Sequence, residues 1–295
     1  MKVLSLFDGI SCGRIALDRA GIPVDRYVAY EIDLNAINIS HRNYPNIERC
    51  GDVVNADFNK YKGFDLLIGG SPCTYWSVAR TDGKREVKPE GIGWQLFMEY
   101  ARALKESECK YFLYENNYSI SSEIKDYISK VLGVQPIMID SALVSAQRRR
   151  RCYWTNIPNV KQPADRNVIL SDIVDFSKES FRPVGNWVFN KWGDTIKIKR
   201  LKDVDSKKSH TLTTSKTHPM NYYLSRDKKT YCNLTVTDWE KLQTLPVGYV
   251  NKCDVKTGAK YKAIGNGWTV DVIVHILKNI PNDNCNIDSL LERED

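Results

Sequence analysis

The chain has 295 residues, 42% hydrophobic and 27% charged, which is the composition of a globular protein with one large domain or two modest ones. No apolar run approaches the ~20 residues of a membrane span, and the eight cysteines include no C-x-x-C pair, which argues against a zinc framework and for reduced thiols in the cytosol. The net charge is +7, and all of the excess falls in residues 156–235, which hold 15 Lys+Arg against 8 Asp+Glu.

The opening MKVLSLFDG turns acidic and Gly-rich too early for a signal peptide. The spacing predicts strands at 2–7, 26–32, 64–70, 110–116 and 134–141. Helical periods fall at 11–21, 34–44, 94–107 and 120–132. This alternation predicts a doubly wound, mostly parallel α/β sheet with helices on both faces. After Trp154 the alternation fails. Residues 156–235 show no sustained period and are read as a small irregular domain. A short helix near 236–245 and a terminal helix at 268–280 return to the first domain, which then comprises 1–155 plus 236–295.

Three strand ends carry candidate ligand groups. FDGISCG (7–13) makes a Gly-containing turn after the first strand, where backbone can approach a ligand. Glu31 ends the second strand about 20 residues on, where an acidic residue commonly bonds a ribose hydroxyl. Asp52 stands in Gly-Asp-Val, between the strands predicted at 26–32 and 64–70. Together they fit an adenosyl cofactor without separating a nucleotide from S-adenosylmethionine. GGSPC (69–73) puts Cys73 on a loop at the same edge, with Pro72 restricting the backbone before it. The polar stretch 74–93 is long enough for a mobile lid. YENN (114–117) places Glu115 at that edge too. In SAQRRRRCYW, Arg149 and Arg151 are two apart, so on an extended segment they share a side. The densest basic run contains Lys197, Lys199 and Arg200. It reads as a solvated face or as a surface for a polyanion.

GGSPC, the Glu-Asn of YENN, Q-x-R-x-R and the Ile-Gly-Asn of AIGNGW stand in the order of the DNA (cytosine-5) methyltransferase family. The chain resembles that family over roughly 1–160 and 234–280, most closely the animal de novo type. Departures are Thr74 after Pro-Cys, Asn117 after Glu-Asn, and Gly-Asn-Gly-Trp at 265–268.

The resemblance implies a Rossmann-like methyltransferase fold, S-adenosylmethionine as cofactor, DNA as partner and no metal. It implies Cys73 as nucleophile on C6 of a flipped-out cytosine, Glu115 at N3 and the exocyclic amine, and Arg149 and Arg151 beside the pocket, with Arg151 nearest O2. It assigns cofactor contacts to Phe7, Asp8, Gly9, Ile10, Glu31, Ile32, Asp52, Val53, Pro72, Asn266 and Trp268. It assigns DNA contacts to Ser77 and Arg80, and makes 156–235 the target recognition domain, with Lys197, Lys199 and Arg200 on phosphates. The expected location is cytoplasmic or on the nucleoid. Two alternatives stay open: a methyltransferase for cytosine in structured RNA, and an inactive DNA-binding relative. The joint presence of Cys73, Glu115, Arg149 and Arg151 argues against the second.

Overall fold

The computed structural model describes residues 1–78, 83–184, 201–216, 218 and 221–281. Arg80, Lys197, Lys199 and Arg200 lie outside the described residues.

The first half alternates as its periodicity requires. In order come β1 (Lys2–Leu6), α1 (Cys12–Ala20), β2 (Arg26–Tyr30), α2 (Leu34–Asn43), β3 (Glu48–Arg49) and β4 (Leu66–Gly69). Then follow α3 (Gly91–Ser107), β5 (Tyr111–Asn117), α4 (Ser122–Leu132), β6 (Ile137–Asp140) and β7 (Arg150–Thr155). Among the described residues these strands form one seven-stranded sheet, ordered β3-β2-β1-β4-β5-β7-β6. The pairs from β3 to β5 are parallel, whereas β7 runs antiparallel to both β5 and β6. The reversal has a simple cause. Only residues 141–149 join β6 to β7, and a parallel crossover needs a dozen or more.

Successive strand residues face opposite sides, so the apolar runs serve two cores. Val3, Tyr27, Leu66, Ile68 and Leu113 pack with Ile15, Leu17, Ile39 and the C-terminal Trp239, Ile264, Ile273 and Ile276. Leu4, Leu6, Val28, Leu67, Phe112 and Tyr114 pack with Phe97, Tyr100, Ile124 and Ile128 of α3 and α4. The C-terminal elements are α5 (Val236–Leu242), α6 (Thr257–Asn266) and α7 (Val270–Leu277). Helix α6 is absent from the periodicity reading, because its GAKYKAIGN carries little apolar pattern.

The segment read as irregular contains a second sheet. Strands β8 (Arg182–Pro183), β9 (Lys202–Asp203), β10 (Tyr222–Leu224) and β11 (Thr230–Asn233) lie in the order β8-β11-β10-β9. Each is two to four residues long, too short to display a period in sequence. Its small core is Tyr222, Leu224 and Tyr231.

The strand order reverses direction at β1, which has β2 on one side and β4 on the other. Such a switch point opens a crevice at the C-terminal strand ends, where ligands of open α/β sheets bind. The turn after β1 and the Cys73 loop after β4 both sit there. Among the described residues no helix is long and apolar enough to cross a membrane.

Candidate active site

The turn after β1 is strained. Phe7 and Ser11 adopt left-handed φ of 55° and 60°, rare for residues with a side chain, and Gly9 has φ 58°. Two carboxylates hold it. Asp8 accepts hydrogen bonds from the hydroxyls of Ser5 at 2.6 Å, Tyr27 at 2.7 Å and Ser11. Burial pushes its carboxyl above the usual range despite these donors. Glu31 Oε2 accepts the Gly9 N–H at 2.8 Å, and its Oε1 accepts the N–H groups of Ile32 and Asp33, each at 2.8 Å. A carboxylate offers about four acceptor sites. Three of those on Glu31 are taken by backbone, which leaves room for one hydroxyl.

Beside Glu31, Ile32 is 69% exposed, an apolar ledge at the strand end. Phe7 is half-buried. Asp52 is exposed, and its Oδ1 accepts the Val54 N–H at 3.0 Å. The Asp8 carboxylate turns inward and braces the turn. The Val53 side chain is in the core with Phe58 and Tyr61. Ile10 is likewise buried.

Cys73 is partly exposed and opens a single 3₁₀ turn, Cys73–Tyr75, whose carbonyl accepts the N–H groups of Trp76 and Ser77. The loop lies against β5. A Cβ built on Gly70 would stand 2.7 Å from the Glu115 carbonyl oxygen and 3.1 Å from its Oε2. Asn116 Nδ2 donates to the Ser71 carbonyl at 3.1 Å, and the Ser71 and Tyr114 hydroxyls bond at 2.7 Å. Within the stretch 74–93, Trp76 is fully buried, its indole N–H goes to Glu86 at 3.1 Å, and Glu86 also accepts the Gly93 N–H. Arg85 bonds the carbonyls of Trp76 and Ser119.

Glu115 is nearly enclosed. The Arg151 guanidinium pairs with it as an ion pair, Nε to Oε1 at 2.9 Å, and the two side chains are 11% and 12% exposed. Trp268 Nε1 donates to Oε2 at 2.9 Å. The sequence reading gave Trp268 to the cofactor, whereas the structure gives its indole N–H to the carboxylate. Arg151 Nη1 bonds the Arg150 carbonyl.

Arg149 and Arg151 share a side, as their spacing predicts, but their partners differ. Arg149 is buried, and its guanidinium donates to the carbonyls of Leu212 at 3.3 Å, Gly265 at 3.0 Å and Gly267 at 2.9 Å. Burial first, and then the Arg151 charge, push its pKa down to about 10; the Glu115 and Cys73 charges act the other way. Cys73 and Glu115 thus both lie within electrostatic reach of Arg149.

Residues the sequence reading passed over complete this arrangement. Gln147 is fully buried; its Oε1 accepts the Leu212 N–H at 2.8 Å and its Nε2 donates to Gln243 Oε1 at 3.0 Å. Gln243 donates to the carbonyls of Ile264 and Gly267, and Thr269 Oγ1 donates to Gln243 Oε1. Gly265 permits the approach, since a Cβ there would fall 1.9 Å from the Thr213 carbonyl oxygen. The first glutamine of Q-x-R-x-R was the available signal: a polar residue inside an otherwise chemical motif. Asn266, at the end of α6, is exposed. Ser77 and Pro72 flank Cys73, Ser77 half-buried and Pro72 exposed. Among the described residues no cluster of His, Cys, Asp and Glu could hold a metal ion.

The C-5 cytosine-specific DNA methylase family model matches residues 1–182 and 119–282. The chain is 30% identical over 253 residues to the orphan methyltransferase M.SPRI of Bacillus phage SPR, covering 77% of this chain and 53% of that protein. It is 35% identical over 118 residues to DNA (cytosine-5)-methyltransferase DRM2 of Arabidopsis thaliana, 36% of this chain and 18% of that one. The chain thus spans about half the length, or less, of these curated relatives. Among solved structures, the Entamoeba histolytica methyltransferase EhMeth superposes with a TM-score of 0.75 at 15% identity, over 95% of this chain and 97% of that one. S. pombe Dnmt2 gives 0.67 at 20% identity, over 94% and 97%. At such identities the likeness is one of fold. On the extent of the family match, the chain belongs to the C-5 cytosine-specific DNA methylase family.

Proposed function

We propose that this protein transfers a methyl group from S-adenosylmethionine to C5 of cytosine in DNA, with Cys73 as nucleophile. The observation that carries the reading is the meeting of the Cys73 loop with Glu115 at the C-terminal sheet edge. There Gly70 lies against the carboxylate that Arg151 and Trp268 hold.

The cofactor fits the residues present. The acceptor site remaining on Glu31 suits a ribose hydroxyl, Ile32 and Phe7 offer apolar surface to an adenine, and Gly9 keeps the turn bare of a side chain. When bound, S-adenosylmethionine supplies an electrophilic methyl group. On the protein side, Cys73 Sγ as thiolate attacks C6 of the cytosine. The S–C6 bond forms and the C5=C6 electron pair moves to C5, which makes C5 nucleophilic. Glu115 holds the N3 and exocyclic amine edge and so favours charge build-up in the ring. After methylation, loss of the C5 proton and departure of the thiolate restore the ring. Because C6 is inaccessible in stacked DNA, the base must flip out to reach Cys73.

Residues 1–155 with 236–295 form the catalytic part in this reading. Residues 156–235, which carry the excess positive charge, read the target.

Trapping tests the proposal. Fluorine at C5 cannot leave as a cation, so duplex DNA with 5-fluorocytosine at the target is expected to form an adduct that peptide mapping places on Cys73. The adduct requires S-adenosylmethionine and is absent in Cys73→Ser. A crosslink at another cysteine would overturn the mechanism. Trapping on structured RNA but not on duplex DNA would overturn the substrate.

A further inference from the structure

We propose that Trp268 is a positioning residue for Glu115, its indole N–H and the Arg151 ion pair forming a clamp that leaves an acceptor site open on each carboxylate oxygen for the target base. The inference rests on the function proposed above and concerns the same site.

An ionised carboxylate has two oxygens and about four acceptor sites. Trp268 Nε1 takes one on Oε2 at 2.9 Å, and the Arg151 guanidinium sits against Oε1 as an ion pair, Nε at 2.9 Å. At least one site remains on each oxygen. The Watson–Crick edge of a cytosine protonated at N3 presents two neighbouring donors, N3–H and an N–H of the exocyclic amine. The clamp therefore presents a matching pair of acceptors. With either contact missing, the carboxylate could turn about its last torsion and lose that register.

The clamp is itself held. Gly70 packs on the Oε2 side, at the distance where a Cβ would already crowd it. Trp268 follows Gly267, the residue between α6 and α7 whose carbonyl is bonded by Arg149 at 2.9 Å and by Gln243 at 3.0 Å. The two arginines of Q-x-R-x-R thus reach Glu115 by different routes. Arg151 touches it directly; Arg149 acts through the backbone that carries Trp268.

The test uses the whole chain and Trp268→Phe, which keeps an aromatic ring and deletes the donor. With indole ¹⁵N labelling, the Trp268 N–H resonance is assigned by its disappearance in Trp268→Phe. It is expected to move in Glu115→Gln, where the amide keeps its oxygen on Arg151 and turns its NH₂ toward the indole. This readout needs no turnover, so it stands apart from the function proposed above. In turnover, Trp268→Phe is expected to lower kcat roughly 10-fold or more, with S-adenosylmethionine Kd unchanged and little further loss in the Glu115→Gln background. An unmoved indole resonance would overturn the proposal. So would additive losses, or a weakened cofactor Kd, which would return Trp268 to the cofactor site. An absence of methylation in the parent enzyme, with the resonance shifting as expected, would overturn the function while leaving the clamp standing.

Discussion

Arg149→Met separates a catalytic arginine from a structural one. Methionine retains most of the stem volume but deletes the donors to Leu212, Gly265 and Gly267. The Gly267 carbonyl keeps its bond from Gln243 Nε2 at 3.0 Å, so two carbonyls are left. A buried acceptor left unmade costs about 1–3 kcal/mol, and the 3.3 Å Leu212 bond belongs at the lower end. One term opposes this. The charge is held at a cost, visible in a pKa pushed down to about 10, so removing it offsets part of that loss. The two carbonyls therefore set an upper bound of about 2–4 kcal/mol on the destabilisation. Urea unfolding followed by circular dichroism should show a lower midpoint with an unchanged slope. Activity should fall as well, since the backbone carrying Trp268 loses a tether. A variant as stable as the parent, with kcat down 100-fold and the Trp268 indole resonance in place, would show that Arg149 meets the substrate itself, and the structural argument would fail.

Two further substitutions probe the remaining walls of the site. Glu31→Ala removes the acceptor for three backbone N–H groups and the site left for a hydroxyl, so S-adenosylmethionine binding should weaken by roughly 1–3 kcal/mol, about 5- to 150-fold. Calorimetry showing unchanged affinity in a folded variant would remove Glu31 from the cofactor site. Gly70→Ala places a methyl group 2.7 Å from the Glu115 carbonyl oxygen, and either the Cys73 loop or the carboxylate must shift. A shift approaching 1 Å can cost ~100-fold in rate, so kcat should fall strongly with cofactor Kd unchanged. Full activity would show that the loop and the carboxylate are not coupled.

What was legible in the sequence was the set of groups that end strands. Apolar runs followed by Gly, Glu or Pro-Cys locate a sheet edge, since strand periodicity and turn chemistry are both local signals. Phe7, Glu31, Cys73 and Glu115 were placed that way, and the structure puts all four at the C-terminal edge. The partners of those groups were not legible. Asp8 looks like a ligand in sequence, and only the three hydroxyls around it show that it braces the turn. Arg149 and Arg151 look equivalent at spacing two. Their difference comes from carbonyls contributed by residues 212, 265 and 267, which no local pattern links to them. The short strands β8–β11 escaped because two to four residues cannot express a period.

The bond between Trp268 and Glu115 joins residues 153 apart in the chain, and it explains why the C-terminal helices matter to the chemistry. The Cys73 loop follows β4 and Glu115 lies on the neighbouring parallel strand β5, so the sheet brings the two together. Their orientation requires more. Arg151 comes from the antiparallel β7, which exists in that place because the link from β6 is too short to cross over. Trp268 comes from the junction of α6 and α7, which is closed onto the sheet through Arg149 and Gln243. Arg149 bonds Leu212 as well, on the segment between β9 and β10. The backbone approaching the small sheet and the backbone carrying the clamp on Glu115 are therefore tied to one guanidinium. The motif that looks in sequence like a pair of catalytic arginines is, in the fold, one contact to the Glu115 carboxylate and one junction between the backbone at 212 and that at 265–267.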